Sequence, residues 1–550
     1  MNLFKEDTRH EEGKSVPIKN IEAVQDLTNI IRTNLGPNGL SKLVVTHLDK
    51  VIVTRRTETV LYNLTVEHPV AKLVVMAAKN QADEVGDGTT QIVAWIGELL
   101  SKIKPLILMR LPIKDIQTGL DLSLEHALNL LPKLAVHEIT DPFNLDQVTK
   151  VLKPVIGAKM SGQEDFLAPL VAKACIDICP KNPANFNVDN VRFAKVMGGI
   201  VTDSSVVRGF CIPRTTEGEI KKVTNAKIAV FGCAIDRDEG ETKGTIVMNT
   251  ADELQSYTAK EEMRMKAIVE EIISSGANVV VTGSTVSEIA LHYLEQNHIM
   301  VIKILSKFDL RRFCLATHAT SLVRLGKPTA EELGFCHSIR VTEVGGMEVL
   351  IISQEEDEDD ESSSSSSSSE KAAVTSRVST IILRSSTQAA LDDVERVMID
   401  AVNTYKDMVK NSMFVAGGGA FEAELSQQML AFGATQTNLA QYSIGAFAES
   451  LLCVPRILAE TAGMNANETI TQLTHAHAQG KVNTGVNVES LSLEDMKEKG
   501  IFDSLYLKEW VLRFGVDCVK TVLSVDSIIM SKPAGIKPPG ERTIGGADQD

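Results

Sequence analysis

The chain has 550 residues, which predicts three or four domains at ~150 residues each. Hydrophobic residues make up 43% and charged residues 23%, enough for large cores, while the net charge of -16 and the lack of any long basic stripe exclude nucleic acid as the main partner. Met1 to Lys14 is polar and charged, without the apolar core of a secretory signal. No apolar run nears the ~18 residues of a membrane span, so the sequence predicts a soluble, intracellular chain with no membrane partner.

The N-terminal part reads as helical. Pro69 suits a first helical turn, and Val70, Leu73, Val74, Ala77 and Ala78 then fall on one stripe. Gly86-Asp87-Gly88 breaks that helix, and Ile92, Val93, Ile96, Leu99, Leu100 and Ile103 form a second stripe. The middle of the chain changes character. Short apolar runs at 227–231, 278–281 and 300–304 alternate with helical stretches such as Glu261 to Ser274, which predicts an α/β region with parallel pairing. From Asp392 onward helical texture returns, through 401–410, 441–459 and 507–523. The coarse picture is a helix-rich domain interrupted by an α/β insertion.

Glu355 to Glu361 is an unbroken acidic run and Ser362 to Ser369 an unbroken serine run. Neither can bury apolar surface, so the segment reads as a solvated surface insertion, with a phosphorylation patch as the alternative. The tail after Lys532, rich in Pro and Gly, reads as loose. Eight cysteines are scattered without a CxxC pair, as expected of reduced, mostly buried thiols, and His475 and His477 point to different helix faces as structural residues.

Three glycine-rich turns can carry chemistry: Leu35-Gly36-Pro37-Asn38-Gly39, Gly86-Asp87-Gly88-Thr89-Thr90 and Ala416-Gly417-Gly418-Gly419. The second has the clearest physics. Its glycines let backbone approach a ligand, and the helix start beyond them attracts phosphate through free amides and the helix dipole. Thr89 and Thr90 add hydroxyls, and Asp87 is a hard oxygen ligand for Mg²⁺. A glycine turn that merely caps a helix is the commoner use of such a pattern. No GxxxxGK[ST], HExxH or GxSxG occurs.

Quoted together, NLGPNGLSKLVV, VEHPVAKLVVMAAKNQADEVGDGTTQ and FVAGGGAFEAELSQQ resemble the nucleotide-site segments of the group II chaperonin family, in that family's order. FNVDNVRFAKVMGG, SKFDLRRFCLATHAT, STIILRSSTQAALDDVERV and IIMSKPAGIKPP are similar to stretches of one subunit type in its eukaryotic cytosolic branch. The resemblance covers nearly the whole chain outside the acid/serine insert and the extreme termini.

It implies a multidomain α and α/β fold: a helical equatorial domain from 1–146 and 401–550, a small intermediate domain from 147–214 and 365–400, and an apical client-binding domain at 215–364 with a helical protrusion near 249–263. It also implies an ATP-dependent folding machine in the cytosol, using ATP/ADP and Mg²⁺. Seven paralogous subunits would complete a hetero-octameric ring, two rings would stack, and unfolded proteins would be the clients. Carried over residue by residue, Leu35, Gly36 and Pro37 line the nucleotide pocket, Asp87 binds Mg²⁺, and Gly88, Thr89 and Thr90 hold phosphates. Gly418 and Asp503 match positions at base and ribose. Lys159 resembles the γ-phosphate sensor, and Asp400 the aspartate that orients the attacking water. Asp309, Arg311 and Arg312 would give the apical helix a charged client-contacting face.

The chain departs from the family in two places. Where the family reads TNDGAT or TNDAAT, this chain reads Thr54-Arg55-Arg56-Thr57-Glu58-Thr59, so Arg56 replaces an acidic residue near the γ-phosphate and slow hydrolysis is expected. The IILRG turn becomes Ile382-Leu383-Arg384-Ser385, which would disfavour a positive φ at the hinge. Two alternatives stand beside the folding ATPase. One is a nucleotide-holding structural subunit of the same ring, and the other a free-standing enzyme with an α/β substrate domain.

Overall fold

The computed structural model describes residues 9–12, 16–46, 49, 51–236, 251–354 and 378–530. The acidic and serine runs, the beginning of the expected protrusion at 249–250, and the tail after Lys532 lie outside the described residues. Two compact units divide the chain: Met1–Val136 with Val415–Ile501 and Leu507–Asp550, and His137–Phe414 with Phe502–Tyr506.

The first unit is helical. Pro69 opens the helix Pro69–Glu84, where its missing N–H forfeits no bond, and Val70, Val74, Ala77 and Ala78 turn inward as their spacing predicts. The next helix, Thr89–Leu108, buries the predicted stripe and its opposite side as well. Trp95 lies edge-on to Phe447, with ring centroids 5.6 Å apart, and its indole N–H donates to Ser450 Oγ at 2.9 Å, the partner a buried Trp needs. Gly97 lets this helix close on Thr28, where a Cβ would come within 2.3 Å of the hydroxyl.

One apolar stretch exceeds what the sequence led us to expect. Ala440–Thr461 is long and apolar enough to cross a membrane by length and composition, yet most of it is buried inside the protein. A turn at Leu452 divides it into the helices Ala440–Leu451 and Cys453–Thr461. Among the described residues three small antiparallel sheets complete the unit, Lys42–Val45 with Val51–Thr54, Thr484–Asn487 with Ser492–Asp495, and Arg9–Glu12 with Ser527–Met530.

The second unit is built on a nine-stranded sheet. Lys222–Phe231, Val279–Thr282 and Met300–Lys303 pair in parallel, with Ile228 opposite Val279 and Val280 opposite Val301. The helices Ala251–Ser274 and Glu288–Gln296 make the crossovers, and all four residues of Val279–Thr282 are buried, as parallel strands covered on both faces should be. The short strand Ser321–Leu322 also pairs in parallel with Lys222–Phe231, and the remaining five strands form a mixed extension that the alternation of runs and helices does not announce: Gly334–Val344, Met347–Ser353, Ser205–Ile212, Ser379–Ser385 and Val191–Met197. The helices Leu145–Gly157, Glu164–Ile178 and Gln388–Lys410 share one core with the end of that extension, around Val151, Val171, Leu383 and Met398. Ser385 ends its strand without a positive φ, so replacing the family's glycine there introduces no backbone strain.

The cysteines are free, as expected, with Cys175, Cys211, Cys336, Cys453 and Cys518 buried. Burial pushes the Cys211 and Cys336 thiols up to about 12, which keeps them unreactive.

Candidate functional site

The site is assembled from glycine turns in the first unit. The helix Val16–Ile31 runs into a short turn, Arg32–Asn34, and then Leu35 becomes extended. Gly36 adopts φ +87°, and a Cβ there would lie 2.5 Å from Leu458 Cδ2, so both conformation and space demand glycine. The Gly36 carbonyl accepts from Gly39 N at 3.0 Å and closes the turn.

The second turn follows the helix Pro69–Glu84. Gln81 holds it from below, donating its side-chain amide to the Asp87 carbonyl at 3.1 Å. Asp87 Oδ1 accepts from Gly88 N at 2.7 Å, and Gly88, at φ +78°, is the N-cap of Thr89–Leu108. No side chain caps this helix, so its first amides and dipole are directed at whatever lies beyond the turn. The third turn repeats the device. Gly419, at φ +77°, is the N-cap of the helix Ala420–Thr435, again without a side-chain cap. Gly418 is pinned between strands: its carbonyl accepts from Val486 N at 2.9 Å, and a Cβ would meet Met496 Sδ at 2.7 Å.

The departing segment stitches the first two turns together. Arg55 donates from Nη1 to the Pro37 carbonyl at 3.1 Å, and Asn34 Nδ2 donates to the Arg55 carbonyl at 3.3 Å. On the other side Thr57 Oγ1 lies 2.8 Å from Thr90 Oγ1. Arg56, the N-cap residue of the helix Thr57–Asn63, pairs with Glu58, Nη2 to Oε2 at 2.7 Å. Sequence reasoning counted the arginine and missed its carboxylate, which sits only two residues away.

Leu35, Gly36, Pro37, Arg55, Arg56, Asp87, Gly88, Thr89, Thr90 and Gly418 therefore all belong to the first unit, and Lys159, Asp400 and Asp503 to the second. There Lys159 Nζ donates to Asp400 Oδ2 at 2.6 Å, with the carboxylate 1% exposed on the helix Gln388–Lys410. Asp503 lies in the strand Phe502–Ser504.

Among the described residues there is no cluster of three or more His, Cys, Asp or Glu side chains that would cage a metal. One half-buried carboxylate, Asp87, beside an uncapped helix start fits Mg²⁺, which binds through one or two carboxylates plus substrate phosphates. The three residues expected on a client-contacting helix lie on one helix of the second unit. Asp309 pairs with Arg312 at 3.0 Å on the helix Lys307–Thr317, while Arg311 shares that helix with Phe308, 74% exposed, and Leu315.

The TCP-1/cpn60 chaperonin family matches residues 27–533. The chain is 40% identical over 540 residues to "T-complex protein 1 subunit theta" of Dictyostelium discoideum, covering 98% of this chain and 97% of the relative. It is 39% identical over 552 residues to the human protein of that name, covering 100% and 97%, and 40% identical over 537 residues to the Arabidopsis thaliana one, covering 97% and 95%. With the glycine turns in the order that the resemblance requires and a match along nearly its whole length, the chain belongs to the TCP-1/cpn60 chaperonin family.

Proposed function

We propose that this chaperonin chain is one subunit of a hetero-oligomeric double ring in the cytosol that binds, encloses and folds other proteins, driven by ATP with Mg²⁺. The observation that carries the reading is the pair of helices that begin at left-handed glycines, Gly88 and Gly419, with no side-chain cap, the first of them joined to the Leu35–Gly39 turn through Arg55 and Thr57. Uncapped helix starts are anion sites, and two in one unit suit a triphosphate better than a single capping role does. Asp87 would hold Mg²⁺, which when bound neutralises phosphate charge. Leu35, Gly36, Pro37, Thr89, Thr90 and Gly418 would line the nucleotide, and Asp503 would meet its ribose. Lys159 would sense the γ-phosphate and Asp400 orient water. In domain terms, the first unit would serve as the equatorial domain, and the second would carry the intermediate and apical parts.

Ring membership has its own support. The hairpin Lys42–Val45 with Val51–Thr54 is only two-stranded, has open edges, and exposes Leu43, Val45 and Val51. A lone hairpin of this kind is marginal in water and gains stability when neighbouring chains cover it. Family membership favours the folding ATPase over a purely structural, nucleotide-holding subunit. Within that reading Arg56 makes this a slowly hydrolysing member.

The test is direct. The ring is isolated from cells that express the tagged full chain and titrated with azido-ATP, and the label on this subunit is measured. Labelling within a large multi-subunit particle supports the proposal. A chain found as a free monomer, or never labelled within the particle, overturns it.

A further inference from the structure

Behind the glycine turns lies a buried charged group that no role above uses. Lys508 Nζ donates to Glu422 Oε1 at 2.7 Å and to Gln91 Oε1 at 3.1 Å, while Gln91 Nε2 donates to the same Glu422 oxygen at 2.7 Å. The two charges are 3% and 2% exposed. Around them lie Trp95, Phe421, Leu451 and Val511, side chains that offer no compensating polarity.

Stability does not explain this arrangement. Desolvating an ion pair consumes most of its Coulombic gain, and an apolar trio of similar volume would hold three helices together as well or better. Lys508 also lies in the first turn of the helix Leu505–Leu523, where the helix dipole disfavours a cation. The placement makes sense through its partners. Gln91 is the third residue after Gly88, and Glu422 the third after Gly419, so the group joins equivalent positions of the two uncapped helices. The preceding residue, Leu507, supports the same turn: a Cβ on Gly88 would lie 3.1 Å from its Cδ2.

We infer that Lys508, Glu422 and Gln91 are positioning residues that fix the spacing between the Gly86–Thr90 turn and the Gly417–Gly419 turn, so that both helix starts meet a single nucleotide. An apolar contact can slide by fractions of an ångström. A charged fork closed by an amide in a dry pocket has one geometry. The inference rests on the nucleotide-binding reading above.

The test uses the intact ring and the azido-ATP titration. Replacing Lys508→Met and Glu422→Gln together removes both charges without stranding either, so folding should survive and the ligand-free ring should melt within about 3 °C of the parent. Half-saturating nucleotide should rise by about tenfold to a hundredfold, the scale on which small misplacements act. Lys508→Arg, which keeps the charge on Glu422, should recover part of the loss. If the double variant does not enter the ring, Gln91→Leu, which leaves the ion pair in place, should shift the curve in the same direction by a smaller factor. A titration curve that superimposes on the parent's, or a loss that Lys508→Arg does not relieve, overturns the inference. An unlabelled parent chain overturns instead the nucleotide-binding reading on which it rests.

Discussion

Arg56 and Glu58 form an ion pair at 2.7 Å at the start of the helix Thr57–Asn63, with the arginine side chain 17% exposed. The family's acidic residue is thus replaced by a cation that carries its own carboxylate. On the proposed reading nucleotide binding should be preserved, because a guanidinium suits phosphate and Glu58 offsets its charge. Positioning of the transferring phosphoryl group should suffer, since the nearby carboxylate of Glu58 is engaged by Arg56. Arg56→Asp in the assembled ring should raise ATP turnover at this subunit by about tenfold, equivalent to about 1.4 kcal/mol in the barrier. A fall, or no change, would show that the arginine is no handicap. The companion variant Glu58→Gln releases the cation and should tighten nucleotide binding while turnover stays slow.

Lys159 and Asp400 should be separable into a stability role and a chemical one. Lys159→Met leaves the Asp400 carboxylate buried without its ammonium, at a cost of about 3–5 kcal/mol. Adding Asp400→Leu removes that carboxylate and should restore most of the melting temperature. ATP turnover should nonetheless stay lost in the double variant. Turnover that returns with stability would remove Asp400 from the chemistry.

Two glycine-to-alanine changes should move in opposite directions. At Gly88 a Cβ would sit 3.1 Å from Leu507 at φ +78°, so Gly88→Ala should destabilise by about 1–2 kcal/mol and weaken nucleotide labelling. Gly445 lies inside the helix Ala440–Leu451, and a Cβ added there would meet nothing within 4 Å. There alanine should stabilise by about 0.5–1 kcal/mol and leave labelling unchanged. Calorimetry of the two rings checks the sign.

His477 is buried, its Nδ1 2.8 Å from Glu424 Oε2 and its Nε2 2.9 Å from the Thr484 carbonyl. The hydrogen bond from His477 holds the Glu424 carboxyl below its ordinary value of 4.5, against the opposing effect of burial. A depressed carboxyl contributes stability that is fully present above that ordinary value and is lost as pH falls through the folded one. His477→Gln should therefore lower the melting temperature at pH 7, and the gap to the parent should narrow below about pH 4. A gap that is constant with pH would exclude the ionised Glu424 carboxylate as its source.

Much of the fold was legible because its signals are local. Pro69 and the stripe after it mark a helix, and the apolar run at 278–281 marks a covered strand. Gly345-Gly346, at φ +64° and +77°, joins two antiparallel strands by a two-residue turn of the kind that needs positive φ at both positions, a signal that the helix-and-strand alternation of the middle region hides. The site divides along the same line. Glycines 36, 88, 418 and 419 announce themselves, since few other residues tolerate their φ values. Lys508 does not. A lysine on an amphipathic helix reads as solvated, and its carboxylate is 86 residues away. Lys159 and Asp400, 241 residues apart, leave no periodic trace of their pairing either. Charge pairs of this kind are set by packing, and packing is not written in spacing.

Trp95 and Ser450, joined by a hydrogen bond in the first unit, are 355 residues apart in the chain. At the ribosome that separation becomes time. With elongation at ~5–20 residues per second, the helix Thr89–Leu108 waits roughly 20–70 s after synthesis for the partners that cover its Trp95 side. The residues of the second unit emerge in between, almost entire and able to pack first. For that interval a helix apolar on nearly every face has no completed core to enter, and nascent-chain holding factors would find in it the kind of segment they protect.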